Sequence, residues 1–232
     1  MKICDNVALL ALPSPIPGST GNIYPALTWD DNNMVLIDAG FPEQEEAIIN
    51  AIADEGLDPK RLTHIIITHQ DLDHIGSMVD LRKTAPDVKI LAHHDEAPYL
   101  DGRKTPAKLE PMLANYYNLP AEHKEGVDQA IQIYKQLQVS FSQELQDKYV
   151  LPICGGIEVV HTPGHTPGHI ALFLQKSRIM VCGDGANITD GQLSGPNPTH
   201  TLDLETATKS LDKLKRYPIA GFATYHGGYL TV

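Results

Sequence analysis

The run T-H-Q-D-L-D-H at residues 68–74 constrains this chain more than any other feature. It directly follows a short β-branched segment that predicts a buried strand, so the run begins where a strand ends. In an extended chain His69, Asp71 and Asp73 share a face, and a turn at residues 73–74 would direct the last pair, Asp73 and His74, toward a second point. Because imidazole and carboxylate side chains bind zinc, iron and manganese, the run predicts a metal site at this strand end.

Three further segments place a histidine or an aspartate beside small residues at a predicted strand end. The first is H-T-P-G-H-T-P-G-H at 161–169, whose Pro and Gly residues predict a rigid, bent loop that presents one imidazole inward. The second is G-D-G at 183–185, and the third is Y-H-G-G at 225–228. Each segment is weak evidence alone, but four such strand ends together predict one shared site.

These motifs resemble a known family. The run H-Q-D-L-D-H at 69–74 resembles the H-x-H-x-D-H signature of the metallo-β-lactamase superfamily, and the segments of His165, Asp184 and His226 follow in that superfamily's order. The sequence I-D-A-G at 37–40 resembles the early strand-end turn of the same family. The resemblance covers nearly the whole chain. It implies an α/β fold, a four-layer αβ/βα sandwich formed by a single domain over residues 1–232, with the site at one edge of two facing sheets.

The resemblance also implies a cofactor of two divalent metal ions, with zinc favoured and iron or manganese as alternatives. One metal would be bound by His69, Asp71 and His165, the other by Asp73, His74 and His226, and Asp184 would bridge the two. Asp38 would orient a ligand imidazole, as carboxylates commonly do around metals, or would only cap a turn.

Asp71 departs from the family pattern, which has a second histidine at this position. Two divalent metals and three ligand carboxylates leave a net charge of about +1, where the usual histidine leaves about +2. We expect the lower charge to make a bridging water less acidic and to favour metals harder than zinc. Aspartate also reaches less far than imidazole, so the first metal position could be weak or only partly filled. A diiron branch of the family has a glutamate at the corresponding position.

The composition bears on partners and compartment. The chain has 29 acidic and 18 basic residues and a formal net charge of −11. That charge repels phosphate backbones and anionic lipids, so we expect a small-molecule substrate and neither a nucleic-acid nor a membrane partner. A homodimer stays open. The three cysteines lie far apart without a C-x-x-C pair, which predicts reduced thiols and a cytoplasmic protein.

Hydrophobic patterning predicts a layered α/β organisation. Val7 to Leu12 reads as a first strand. Further strands are predicted at 24–28, 34–38, 63–68, 88–92, 156–161, 169–174 and 179–182, with a last strand at 220–224. Helices are predicted at 43–55, 75–84, 127–137 and 204–214. Residues from about 95 to 150 differ in character and are interpreted as a helical insertion beside the core, either a lid over the site or a purely structural element.

The predicted function is metal-assisted hydrolysis of a small ester, lactone or thioester, a lactonase-like activity. Asp73 would accept a proton from the attacking water while acting as a ligand, a role that the family suggests. His200 and Tyr229 are candidates for the acid that protonates the leaving group, and an acyl tail would fit if residues 99–117 line the pocket. The alternatives are a diiron oxidoreductase, which Asp71 favours, and a non-catalytic metal-binding or sensing module.

The other histidines have plainer interpretations. We expect His64, His123 and His161 to be surface or packing residues. We expect His93, His94 and His169 to be hydrogen-bonded structural groups, with a position near the site as the alternative.

Overall fold

Two facing sheets form the centre of the molecule in the computed structural model, which describes residues 1–16 and 21–232. The strands are β1 Lys2–Cys4, β2 Val7–Leu9, β3 Leu12–Pro13, β4 Asn22–Ile23, β5 Ala26–Trp29, β6 Met34–Ile37, β7 His64–Ile67, β8 Lys89–His93, β9 Gln143–Leu145, β10 Val150–Leu151, β11 Ile157–His161, β12 Ile170–Leu174, β13 Ile179–Val181, β14 Asn187–Thr189, β15 Gln192–Ser194, β16 Gly221–Thr224 and β17 Gly228–Thr231. The α-helices are α1 Glu45–Asp54, α2 Leu72–Ile75, α3 Ala97–Leu100, α4 Glu110–Ala114, α5 Ala121–Gln136 and α6 Leu204–Leu214.

The first sheet has the strand order β1-β2-β5-β6-β7-β8-β9, and the second has the order β10-β11-β12-β13-β16-β17. Strands β6 to β9 run parallel to one another, so their carboxyl ends meet at one edge of the first sheet. In the second sheet β13 and β16 are also parallel. The loops that follow β6, β7, β13 and β16 therefore emerge at the edge where a site can be assembled.

Alternation of side chains along the strands explains the layers. In β7, Ile66 faces the second sheet, whereas Ile65 and Ile67 face the helix layer that contains Ile48 and Ile52 of α1. In the second sheet, apolar residues from alternate positions pack against Leu211 and Leu214 of α6. Each sheet is thus buried on both faces, which explains why these strands are continuous apolar runs. The predicted four-layer αβ/βα sandwich is confirmed.

The ends of the helices follow from local sequence. The side chain of Asp203 accepts a hydrogen bond from Thr206 N at 3.0 Å and caps α6, whose bounds match the predicted helix. Helix α1 has Glu45 and Glu46 in its first turn, where their negative charges interact favourably with the positive end of the helix dipole. No helix in residues 1–16 and 21–232 is long and apolar enough to cross a membrane.

Several predicted elements were wrong in extent. Residues 75–84 are not one helix, because α2 ends at Ile75 and only a 3₁₀ turn follows at Asp80–Lys83. The strand predicted at 220–224 is not the last, since β17 pairs with it as a hairpin. The strand predicted at 7–12 is not the first, because β1 precedes it and pairs with β2.

Residues 95–150 contain more than the predicted helix. Helix α5 begins at Ala121, six residues before the predicted start at 127, because its first turns are exposed and carry no apolar repeat. After it, β9 returns to the first sheet and pairs with β8. The helices α3, α4 and α5 therefore lie between two strands that are neighbours in that sheet.

Candidate metal centre

The structure brings all seven predicted ligands to one edge of the sandwich. His69, Asp71, Asp73 and His74 follow β7, His165 lies in the loop between β11 and β12, Asp184 follows β13, and His226 lies in the turn between β16 and β17. They form two groups whose potential donor atoms lie close together, and we call these groups the first and second ligand sets. The first set is His69, Asp71 and His165 with Asp184, and the second set is Asp73, His74 and His226 with Asp184.

Distances within the first set are short. Asp71 Oδ2 lies 3.2 Å from His69 Nε2 and 3.1 Å from His165 Nε2. The Oδ2 atom of Asp184 lies 3.5 Å from His165 Nε2. Donors about 2.0–2.2 Å from a tetrahedral zinc ion are separated by roughly 3.3 Å, so these side chains are spaced as ligands of one ion would be.

The second set has the same spacing. Asp184 Oδ1 lies 3.3 Å from both His74 Nε2 and His226 Nε2. Asp73 Oδ2 lies 3.4 Å from His226 Nε2 and 3.6 Å from His74 Nε2. The two oxygens of Asp184 thus face different ligand sets, which is the arrangement of a bridging carboxylate.

Three buried polar atoms in these sets support the fit to metal ions. His69 Nε2, His74 Nε2 and Asp184 Oδ1 have no hydrogen-bond partner among residues 1–16 and 21–232. A buried polar atom without a partner is unfavourable, and such atoms call for an ion or another ligand. Because all three point into the ligand sets, the residues present fit two divalent ions.

Electrostatics at the site agree with this fit. Burial raises the pKa of Asp73, and the neighbouring Asp184 adds to that shift. Burial and the nearby His74 lower the pKa of His69 to about 4, which keeps its imidazole neutral and able to bind a metal. Burial opposes the charge on Asp184, but His74 and His226 hold its pKa well below the usual range. Three acidic groups share this buried space, so a bound cation would relieve their repulsion.

Asp38 orients His74. The Nδ1 atom of His74 donates to Asp38 Oδ2 at 2.8 Å, and the backbone N–H of Thr68 donates to Asp38 Oδ1 at 2.8 Å. The hydroxyl of Thr68 lies 3.0 Å from Nδ1 of His69. Because Nδ1 donates to Asp38, Nε2 is the nitrogen of His74 that faces the second ligand set and that a metal ion would bind. Asp38 itself has φ +64°, a left-handed conformation that Asp and Asn tolerate better than most residues.

Glu96 is a site residue that sequence analysis missed. It is fully buried at the start of α3, and its Oε1 accepts hydrogen bonds at 2.8 Å from the backbone and the side chain of Gln70. Its Oε2 accepts from Thr166 Oγ1 at 3.0 Å and from Gly168 N at 2.8 Å. A Cβ at Gly168 would lie 2.3 Å from the nitrogen of Glu96, so the close approach requires glycine. Glu96 therefore fixes the loop of His69 to the loop of His165.

His169 is a hydrogen-bonded group, and it lies directly beside the site, the alternative position expected for it. It is fully buried. Its Nδ1 lies 2.8 Å from Thr162 Oγ1, and its Nε2 accepts from the backbone N–H of Asp184 at 3.1 Å. This second bond positions the backbone of the residue that faces both ligand sets. Of the other histidines, His161 stacks on His93 with ring centroids 4.2 Å apart, which agrees with a packing role.

Two further residues beside the ligands were also missed. The ring of Tyr225 stacks on His74 with centroids 3.8 Å apart, and its hydroxyl donates to the carbonyl oxygen of Asp73. Lys108, from the segment between α3 and α4, donates from its Nζ to Asp71 Oδ2 and lies 3.0 Å from His165 Nε2. Lys108 lies outside the sequence motifs, and Tyr225 belongs to the segment at 225–228, where only its adjacency to His226 offered a signal.

A cavity of about 410 Å³ opens above the ligands. Its lining includes four of the predicted ligands, Asp71, Asp73, Asp184 and His226, and its other lining residues are Ser14, Ile16, Gly21, Asn22, Ile23, Phe41 and His200. His200 is exposed on the 3₁₀ turn Pro198–His200. The described lining includes neither Tyr229 nor any residue of the segment 99–117. Tyr229 packs instead against the core between the sheets, which weakens its candidacy as an acid.

Comparison with known proteins agrees with the motifs and the geometry. A family model described as the metallo-beta-lactamase superfamily matches residues 20–226. A probable metallo-hydrolase of Bacillus subtilis is 30% identical over 214 residues, which cover 85% of this chain and 76% of that protein. A hydroxyacylglutathione hydrolase of Xylella fastidiosa is 27% identical over 207 residues, 89% of this chain and 59% of that protein.

A solved structure shows the same fold. A metallo-beta-lactamase family protein of Thermus thermophilus aligns with a TM-score of 0.76 at 20% sequence identity, over 99% of this chain and 76% of that chain. The family model also spans the positions of all seven predicted ligands, from the run after β7 to His226. This chain belongs to the metallo-β-lactamase superfamily.

Proposed function

We propose that this protein is a metal-dependent hydrolase that cleaves a small ester, lactone or thioester. Membership of the superfamily and the metallo-hydrolase relatives support a metal-dependent hydrolase. The observation that carries the proposal is the placement of Asp184, whose two oxygens face two ligand sets at the base of an open cavity. Bound there, two divalent ions would acidify a water molecule and polarise a substrate oxygen.

The residues of the chain would supply proton transfer. Asp73 lines the cavity, so its carboxylate is accessible to a water molecule that enters there. We assign Asp73 to accept the proton of the attacking water. His200, on the cavity wall, would donate a proton to the leaving group.

The cavity favours an uncharged acyl group. Ile16, Ile23 and Phe41 provide apolar surface in the same cavity as the ligands, and the described lining contains no lysine or arginine that would bind a polyanion. A thioester is supported further by the similarity to a hydroxyacylglutathione hydrolase, of which the matched region spans 59%. We therefore place esters, lactones and thioesters ahead of phosphodiesters.

Zinc is the proposed metal, with iron and manganese as alternatives. Histidine and carboxylate ligands suit zinc, whereas the carboxylate of Asp71, in place of a further histidine, shifts the preference of the first set toward harder ions. Elemental analysis of protein purified without added metal identifies the ion. Abundant iron together with a yellow-brown colour would favour the oxidoreductase alternative instead.

The function is tested with a panel of aryl ester, lactone, thioester and phosphodiester substrates on metal-loaded protein. We expect turnover of at least one carboxylic substrate and joint loss of metal and turnover in His69→Ala and Asp184→Ala. His123→Ala, at an exposed position of α5, is the matched control and should retain both. Fully loaded protein that hydrolyses none of the panel, or unchanged turnover in either ligand variant, would overturn the proposal.

A further inference from the structure

Lys108 holds an unusual position in the first ligand set. Its side chain is one-quarter exposed, and its ammonium reaches from the segment between α3 and α4 to the edge formed by Asp71 and His165. There it donates to Asp71 Oδ2 and lies 3.0 Å from His165 Nε2. A metal ion in the first set would need both of these atoms, Asp71 Oδ2 and His165 Nε2, as ligands.

An ammonium at this edge opposes a metal ion in two ways. The lone pair of His165 Nε2 can serve either the lysine proton or the metal, but not both at once. A lysine charge within a few ångströms of a divalent cation also repels it, and the repulsion is large in a partly buried site. In the described part of the chain, the carboxylates of the second set form ion pairs with histidines and not with lysine or arginine.

The carboxylate of Asp71 explains why a lysine can lie at this edge. A neutral imidazole at position 71 would offer an ammonium no charge, whereas a carboxylate attracts one. Together Asp71 and Lys108 are neutral, like the histidine that the superfamily signature has at position 71. We therefore treat Asp71, which replaces the histidine of the family signature, and Lys108, which contacts it, as one structural unit.

We propose that Lys108 is an internal competitor for the first metal position, so that the protein binds one divalent ion tightly in the second ligand set and a second ion only weakly. The inference rests on the ligand sets of the proposed function. Binding of the second ion requires the ammonium of Lys108 to leave His165 Nε2. The occupancy of the first position then depends on the free metal concentration, while the second position stays filled.

Titration of metal-free protein with Zn²⁺ against a chromophoric chelator tests this proposal. For the wild type we expect two binding steps, with the second at least a hundredfold weaker than the first. Lys108→Met keeps the length of the side chain but removes its charge, and it should tighten the second step at least tenfold. Lys108→Arg keeps the charge and should leave that step weak. Lys104→Met, an exposed lysine of the same segment, is the matched control.

Two results would overturn the proposal. One is that the wild-type protein binds two ions with equal affinity. This measurement does not depend on whether any variant folds. The other is a second step that is unchanged in Lys108→Met protein whose circular dichroism matches the wild type. Because the readout is binding, a protein that binds in two steps yet hydrolyses nothing would refute the hydrolase and leave this inference standing.

Discussion

The Nδ1 atom of His74 lies 2.8 Å from Oδ2 of Asp38, and both side chains are buried. Burial alone would lower the pKa of His74, but Asp38 and the other nearby carboxylates raise it well above its usual value. Asp38 stands at the end of β6, and His74 in the helix that follows β7. A contact between the segments that follow two parallel neighbouring strands thus fixes which nitrogen of His74 faces Asp184.

Asp38→Asn should weaken metal binding ten- to a hundredfold, the usual cost of losing a carboxylate behind a ligand imidazole. An amide can direct its NH₂ at Nδ1, which moves the imidazole proton to Nε2 and blocks the metal-binding lone pair. Asparagine tolerates the positive φ of residue 38, so the backbone should not change. Chelator competition measures the effect. Asp190→Asn, at an exposed residue with φ +51°, is the control, and equal affinities in the two variants would contradict this role.

Glu96 predicts a pH dependence of stability. Burial raises the pKa of its carboxyl from 4.5 to about 7, although four hydrogen bonds act in the opposite direction. Between these pH values the folded protein holds a proton that the unfolded chain has released, so the unfolding free energy falls as pH rises. The contribution is complete below pH 4.5 and is lost as pH passes about 7, a total of about 3 kcal/mol at 1.36 kcal/mol per pKa unit.

Glu96→Gln removes this titration. The difference in unfolding free energy between wild type and variant should therefore change by about 3 kcal/mol between pH 4.5 and 8, in the direction that favours the variant at high pH. Urea denaturation of metal-free protein at several pH values measures it. Glu110→Gln, an exposed position at the start of α4, should show a constant difference. A constant difference in Glu96→Gln as well would show that Glu96 is ionised throughout.

The cluster of candidate ligands could be predicted from the sequence because its members lie in local patterns. Residues 69–74 form one dense run at the end of a strand, and strands such as β7 and β12 are short apolar segments bounded by turns. Each pattern depends only on neighbours in the chain. The loops that follow parallel strands leave the sheet at one common edge, and this holds whatever the rest of the fold is. Patterns of this kind are visible in one sequence.

The supporting residues could not be predicted because each acts through a contact between distant segments. Glu96 joins Gln70 to Gly168, and Lys108 reaches Asp71 across 37 residues of chain. Nothing in their sequence neighbourhoods distinguishes them from surface residues. Helix α5 illustrates the same limit, since only Val127 in it is buried and its exposed first turns have no apolar repeat.

Tyr225 should contribute more through its ring than through its hydroxyl. Tyr225→Phe loses a hydrogen bond to the carbonyl of Asp73 and should cost about 1 kcal/mol of unfolding free energy, while metal affinity stays within a few-fold of wild type. Tyr225→Ala also loses the ring stacked on His74 and should cost about 3–5 kcal/mol, with a clear loss of metal affinity. Denaturation and chelator competition on both variants separate the two contributions. Similar metal affinities in the two variants would mean that stacking does not hold His74 in place.

His200 can be tested by the dependence of turnover on the leaving group. If its imidazole protonates that group, His200→Ala should lower kcat by about a hundredfold for lactones and alkyl esters, whose alkoxides leave poorly without a proton. Aryl esters and thioesters have leaving groups of lower pKa, so their kcat should change little. His123→Ala, at an exposed position away from the cavity lining, should affect neither class. A rise in KM that is equal for all substrates would mean that His200 only lines the cavity. Binding contacts do not distinguish substrates by the pKa of the leaving group.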